Sequence, residues 1–295
     1  MAPIVTLLID PVPADADLGD ATSMFREVDE REPALRVGEL STQRGDGIFE
    51  TIGVVDGHAQ EVRPHLERLR NSARICDLPE PHLAQWEAAI ATAVAKLPQR
   101  GEFAVRLVLS RGVEHGPAPT AWLAAAPAAD FSVPRTQGIR AVTLDRGYDR
   151  GAAERAPWLL LGAKTLSYAV NMAALREAKR RGADDTVFVS SDGFVMEGPT
   201  SSVIIRRGGV YATPAPSGAI LHGTTQQSLF EHLAELGERV EYRDIPVDEL
   251  RTADAAWLVS SVRLAAGIRE LDGEPLPYDG ETTAAFNAYL LTPRD

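Results

Sequence analysis

The sequence predicts an α+β fold divided between two parts of the chain. Strand-like and helix-like segments are interspersed in both halves, without the regular alternation that builds a parallel sheet. One stretch, PAADFSVPRTQG from Pro127 to Gly138, combines two prolines and a glycine with no helical or alternating periodicity, which marks a boundary. The 295 residues suit one large domain or two smaller ones, with ample material for a core. The expected division is a smaller N-terminal domain over 1–127, a linker over 128–137 and a larger C-terminal domain over 138–295.

The first half opens with MAPIVTLLIDP, a short apolar run ended by Asp10 and lacking a basic leader, which reads as a strand over Ile4–Ile9 rather than a signal peptide. A strand follows the RGDG turn at Ile48–Val55, and the dipeptide Asp56–Gly57 predicts a hairpin. Pro64 opens a helix that sets Leu66, Leu69, Ala73 and Cys76 on one face, with Arg68 on its polar side. A second helix covers roughly His82–Lys96, and EFAVRLVLSRG and TAWLAAA read as neighbouring strands.

In the second half GIRAVTLD is a strand. The next helix, about Leu166–Arg181, ends in three basic residues that complement its C-terminus, with Gly182 as a left-handed cap. Short strands follow at Thr186–Ser190, Phe194–Met196 and Ser202–Arg206. A helix begins near Thr225 with Leu229, Leu233 and Leu236 on its apolar face, and strands at Ala255–Ser260 and Leu264–Glu270 flank a short SVR turn.

Composition narrows the function. A net charge of −12 makes the chain a poor nonspecific ligand for nucleic acid or anionic membranes. No run approaches the ~18–20 apolar residues of a membrane span. A single cysteine, Cys76, excludes an internal disulfide and a multi-cysteine metal site and fits a reducing cytoplasm. No metal, nucleic acid or membrane partner is expected.

Lys164 stands out because it follows Leu159–Leu161 and precedes TLSYAV with no acidic residue beside it. Lysine is seldom buried unpaired, and desolvation favours the neutral, nucleophilic amine. Alone, it reads more simply as a surface lysine in the first turn of a helix. Glu197, in VMEGPTS, lies 33 residues on, where an apolar strand meets a glycine turn that can aim a carboxylate into a cleft; alone it is a solvated turn residue. In ILHGTTQQSLFE, Thr224 and Thr225 sit where a helix starts, which offers an anion site or plain capping. Arg68 suits two-pronged phosphate recognition or a solvated helix face.

Six blocks in order, GDGIFET, HLERLRNSA, GAKTLSYAVNMAALREA, GFVMEGPTSSVI, ILHGTTQQSLFE and WLVSSVRLAAGIRELDG, cover about Arg44 to Gly273. This set resembles the fold-type IV pyridoxal-phosphate enzymes: branched-chain and D-amino acid transaminases and aminodeoxychorismate lyase. The resemblance implies a two-domain D-amino acid transaminase-like fold with pyridoxal 5'-phosphate between the domains. It implies that Lys164 forms the Schiff base with the cofactor aldehyde and then moves the proton at the reacting carbon. Glu197 matches the carboxylate that pairs with the pyridine nitrogen. Arg68, Thr224, Thr225 and Ser261 match the phosphate cradle, and Tyr168 a residue beside the ring hydroxyl. Two departures stand out: Gln226 occupies a position where many relatives carry arginine, and EGPTSSVII lacks an asparagine common before its final apolar pair.

Among the reactions the resemblance allows, LVLSRG at Leu107–Gly112 and SSVR at Ser260–Arg263 look like lyase blocks. RGVEHGPAP has His115 without the arginine of a D-amino acid transaminase carboxylate trap. The expected activity is therefore aminodeoxychorismate lyase, releasing pyruvate and 4-aminobenzoate for folate synthesis. The alternatives are a D-amino acid transaminase (with both activities possible in one enzyme), then a branched-chain transaminase, then a non-catalytic cofactor-binding relative. Arg106, Arg111 and Arg263 are candidate binders of a substrate carboxylate. The resemblance also implies a homodimer, and the expected location is the cytoplasm.

Overall fold

Alternating burial along EFAVRLVLS and TAWLAAAP builds the centre of the first of two sheets. The structure, a computed structural model, describes residues 4–29, 31, 33–216 and 218–295. Its strands are β1 (Val5–Ile9), β2 (Phe25–Glu27), β3 (Gly47–Val55), β4 (His58–Ala59), β5 (Glu102–Ser110), β6 (Thr120–Pro127), β7 (Ile139–Asp145), β8 (Asp185–Val189), β9 (Ser202–Arg207), β10 (Val210–Pro214), β11 (Arg239–Arg243), β12 (Ala255–Ser260), β13 (Leu264–Leu271) and β14 (Glu274–Pro275).

The chain separates into two units. One runs to Ala129 and takes in Ala163–Tyr168 and Thr292–Asp295; the other comprises Asp130–Gly162 and Ala169–Leu291. The first holds an antiparallel sheet of order β2-β1-β6-β5-β3-β4. The Asp56–Gly57 hairpin forms as the sequence predicts, pairing Val54 with Ala59 and Val55 with His58. Helices Val62–Ile75 and Leu83–Ala95 put Leu66, Leu69, Ala73, Trp86 and Ile90 into one core with Val105, Leu107 and Leu123 of the sheet. Cys76 joins that core, and burial pushes its thiol up to about 11, so the only cysteine is an inert packing group.

The second unit holds a mixed sheet of order β11-β10-β9-β12-β13-β7-β8, with β14 on β13. Both faces are covered, because alternate residues of β9 and β12 enter different cores. Val203, Ile205, Ala256 and Leu258 join one; Ile204, Ala255, Trp257 and Val259 join the other, with Leu229 and Leu233 of helix Thr224–Glu235 and Phe286 and Leu290 of helix Gly280–Leu290. Leu236, expected on that apolar face, is 65% exposed: it is the helix C-cap, beyond the last packed turn.

Three further expectations are corrected, and two strands are added. The helix read over Leu166–Arg181 spans Ala169–Arg180. Its predicted first turn is instead extended backbone against β3: Phe49 N–H donates to the Lys164 carbonyl (2.9 Å) and Leu166 N–H to the Gly47 carbonyl (2.8 Å). Its other end forms as read, with Gly182 at φ +78°. Phe194–Met196 is not a strand; it makes single bridges to two different partners, Val189 and Pro246, in place of one ladder. The stretch Pro127–Gly138, read as lacking periodicity, contains a short helix, Ser132–Gln137. β10 and β11 went unread although the Gly208–Gly209 pair before β10 is a hairpin signal.

Candidate functional site

In the first unit Lys164 is half-buried, but the leucines before it do not enclose it: Leu159 and Leu160 are exposed. Its setting comes from β3. The Lys164 amine lies 4.4 Å from the centre of the Phe49 ring and 5.8 Å from that of Tyr168. The two rings meet edge to face, 5.3 Å apart. Its own backbone N–H donates to the Ser72 hydroxyl at 3.1 Å. Lys164 is thus fixed by a strand bridge and a helix side chain, not by the first turn of a helix. Tyr168 follows it along a bent extended segment.

Arg106 on β5 puts its guanidinium carbon 5.0 Å from the centre of the same Phe49 ring. Lys164, Tyr168 and Arg106 therefore gather on Phe49, at the middle of GDGIFET. Cations over an aromatic face gain ~0.5–2 kcal/mol each, more where water is excluded. Arg111 is engaged elsewhere: it donates from Nε to Asp46 (2.8 Å), from Nη1 to the Asp77 carbonyl (3.0 Å) and from Nη2 to the Cys76 carbonyl (2.7 Å).

Arg68 is not on a solvated helix face. Its side chain is only 12% exposed, and it donates from Nε (2.7 Å) and Nη2 (2.8 Å) to the two oxygens of Glu50, which is fully buried on β3. His65 Nδ1 lies 2.8 Å from the same carboxylate. Burial pushes the Glu50 carboxyl up, but the Arg68 charge and the hydrogen bonds from Arg68 and His65 outweigh it and hold it well below the usual carboxylate range. Burial is also the largest influence on His65 and lowers it against the pull of Glu50. Sequence reading missed Glu50 because a strand buried on both faces carries no alternation that exposes a lone acid.

The sign of the pH effect follows from these two shifts. Glu50 titrates below its ordinary 4.5 in the folded chain, so its contribution is complete above that value and is lost as pH falls through the lower, folded value. His65, lowered from 6.5, disfavours folding once the unfolded chain begins to take up its proton below 6.5. Unfolding free energy from denaturant titrations is expected to decline as pH drops from 6.5, more steeply below 4.5. Glu50→Gln should flatten the lower part of that curve. An unchanged slope in the variant would mean that other carboxylates set the acid limit.

In the second unit Glu197 follows Met196, and one carboxylate oxygen accepts from Leu221 N–H at 3.1 Å. Its carbonyl accepts from Phe188 N–H at 2.8 Å, which ties the turn to β8. Helix Thr224–Glu235 begins with Thr224 and Thr225, both buried, and the Ser261 hydroxyl lies 3.5 Å and 3.2 Å from theirs. The cap, Gly223, offers no side chain to the first-turn amides, and a Cβ there would stand 2.2 Å from the Ser202 hydroxyl. Gln226, in the usual arginine position, is buried with its amide on the Tyr242 hydroxyl at 3.1 Å. Arg263 is held by the buried Asp185 at 2.5 Å, and its Nε and Nη2 are buried without a hydrogen-bond partner.

Three hydroxyls converging on an uncapped helix N-terminus suit a phosphate dianion. A carboxylate that accepts from the Leu221 amide suits a protonated pyridine nitrogen. An amine on an aromatic platform suits an aldehyde. Residues 47–271 match the family of class IV amino-transferases, and the chain belongs to it. It is an enzyme whose cofactor is pyridoxal 5'-phosphate. Across 83% of the chain and 88% of the relative, it is 47% identical to a bifunctional aminodeoxychorismate lyase / D-amino acid transaminase of Mycobacterium tuberculosis. A fold IV transaminase from Curtobacterium pusillum, CpuTA1, is 49% identical with a TM-score of 0.92, covering 98% of this chain and 99% of that one. A Mycobacterium tuberculosis aminotransferase structure with α-ketoglutarate and PMP bound is 44% identical with a TM-score of 0.86, over 90% of this chain and 94% of that one. Among the described residues no helix is long and apolar enough to cross a membrane.

Proposed function

We propose that this chain is an aminodeoxychorismate lyase that also transaminates D-amino acids, as the bifunctional relative's name describes for that protein. The observation that carries this reading is the cluster on Phe49, where the Lys164 amine and the Arg106 guanidinium share one ring. Elimination needs a base at the carbon bearing the substrate amine and a cation for a carboxylate, and this pair supplies both. Pyridoxal phosphate, when bound, supplies an aldehyde and an electron-accepting ring. Lys164 moves the proton at the reacting carbon, Glu197 keeps the pyridine nitrogen protonated, and Arg68, Thr224, Thr225 and Ser261 hold the phosphate. Tyr168 flanks the amine. Arg106 is the preferred carboxylate binder, since Arg111 is spent on Asp46 and two carbonyls.

Aminodeoxychorismate loses one ring proton and its enolpyruvyl ether, giving 4-aminobenzoate and pyruvate with no other reactant. Both products should therefore accumulate without any keto acid. D-alanine should turn over only when 2-oxoglutarate is present. If D-alanine reacts and 4-aminobenzoate never forms, the transaminase reading alone survives.

Arg68→Lys keeps a cation for Glu50 but gives up the planar fork, whereas alanine would strand a buried carboxylate. Cofactor affinity of the apo-enzyme should fall about tenfold in the lysine variant, read by titration with pyridoxal phosphate. Unaltered affinity would confine Arg68 to supporting Glu50.

The division into domains over 1–127 and 138–295, the cytoplasmic location and a homodimer belong to the same proposal. Trp158, Val170 and Met172 are large apolar side chains exposed in the second unit and supply surface for self-association. Sedimentation should return twice the 31.8 kDa chain mass.

A further inference from the structure

The turn between β12 and β13 is Ser261–Arg263, and it carries one of the three clustered hydroxyls. Two side chains outside it hold it in place. Arg135 donates from Nε to the Arg263 carbonyl at 2.9 Å and from Nη2 to the Val262 carbonyl at 2.8 Å. Arg263 itself reaches Asp185, which is 1% exposed, and Asp185 also accepts from Thr186 N–H at 2.8 Å. The turn leads directly into Leu264 at φ +65°, a left-handed conformation that is costly for a leucine and persists only where its surroundings impose it. The Arg135 guanidinium fork binds the two carbonyls that precede it.

Arg135 lies in helix Ser132–Gln137, inside the segment that the sequence presents as a bare linker. That helix is itself fixed, since the Tyr278 hydroxyl donates to the Thr136 carbonyl at 3.0 Å. A rigid support, a forked donor and a strained turn place the Ser261 hydroxyl 3.2 Å from that of Thr225.

We propose that Arg135 is a positioning residue for the phosphate grip: it fixes the Val262 and Arg263 carbonyls and so aims Ser261 at the cofactor phosphate. This rests on the reading of Thr224, Thr225 and Ser261 as that grip. Asp185 acts in the same sense through the Arg263 side chain. The short linker helix is therefore coupled to the phosphate grip through two hydrogen bonds to the turn.

The test compares apo-enzyme affinity for pyridoxal phosphate with that for pyridoxal, which lacks the phosphate. Arg135→Ala should weaken pyridoxal phosphate about tenfold, the scale of one misaligned bond to a charged group, and leave pyridoxal unchanged. Arg135→Lys, which retains one donor, should recover part of the loss. Asp185→Asn, with its volume preserved, should shift the same ratio in the same direction and serves if Arg135→Ala does not fold. Ser261→Ala is the control. If Ser261→Ala changes the ratio and neither Arg135 variant does, the coupling is wrong while the phosphate grip stands. If Ser261→Ala leaves the ratio unchanged, the grip reading fails and the proposal with it. Parallel loss of both ligands in the Arg135 variants would make Arg135 a general stabiliser and overturn the proposal.

Discussion

Replacing Lys164 with alanine is expected to lower turnover by about 10⁴-fold or more, the upper range for removing a positioned acid–base group, while the fold survives. The survival follows from how the segment is held. The Lys164 carbonyl accepts from Phe49 N–H and its N–H donates to Ser72, so the bonds that anchor it are made by the backbone. What alanine removes is the amine over the Phe49 and Tyr168 rings. The purified parent should carry a chromophore that borohydride fixes on the peptide containing Lys164. The variant should bind pyridoxal phosphate without a reducible bond. A label on any other lysine, or a variant that retains more than a small fraction of turnover, would remove Lys164 from the chemistry.

The same residue shows what the sequence disclosed and what it hid. An amine after three leucines was visibly unusual, but the leucines are not its environment; Leu159 and Leu160 face solvent. Its aromatic platform comes from Phe49, more than a hundred residues earlier, brought there by strand pairing that local periodicity cannot reveal. Thr224 and Thr225 were legible because helix starts are governed by local chemistry. Glu50 and Asp185 were not, because a buried acid on a strand is recognisable only by its partner, and the partners Arg68 and Arg263 lie on other elements, 18 and 78 residues along the chain. The same blindness left Arg68 open between a phosphate contact and a solvated helix face, and made Arg111 read as available. Both arginines had the right chemistry for their candidate roles, and only the pairing distances separate the one held on a buried acid from the one spent on a turn.

Glu197→Gln is expected to leave folding and cofactor affinity close to the parent and to reduce turnover about 10²- to 10³-fold, or about 2.7–4 kcal/mol. The substitution is nearly isosteric. The amide oxygen can still accept from Leu221 N–H, and the backbone bond from Phe188 to residue 197 does not involve the side chain. What changes is charge. A carboxylate stabilises a proton on the pyridine nitrogen and a neutral amide does not, so the ring loses the positive charge that draws electrons from the reacting carbon. The phosphate grip proposed above, Arg68, Thr224, Thr225 and Ser261, does not include Glu197, which is why affinity should hold while rate falls. Steady-state rates and cofactor titration, measured on one preparation, separate the two. Turnover within about twofold of the parent, the range of an ordinary surface substitution, would return Glu197 to the role of a turn residue capped by Leu221, and would leave the second unit with a phosphate site but no partner for the ring.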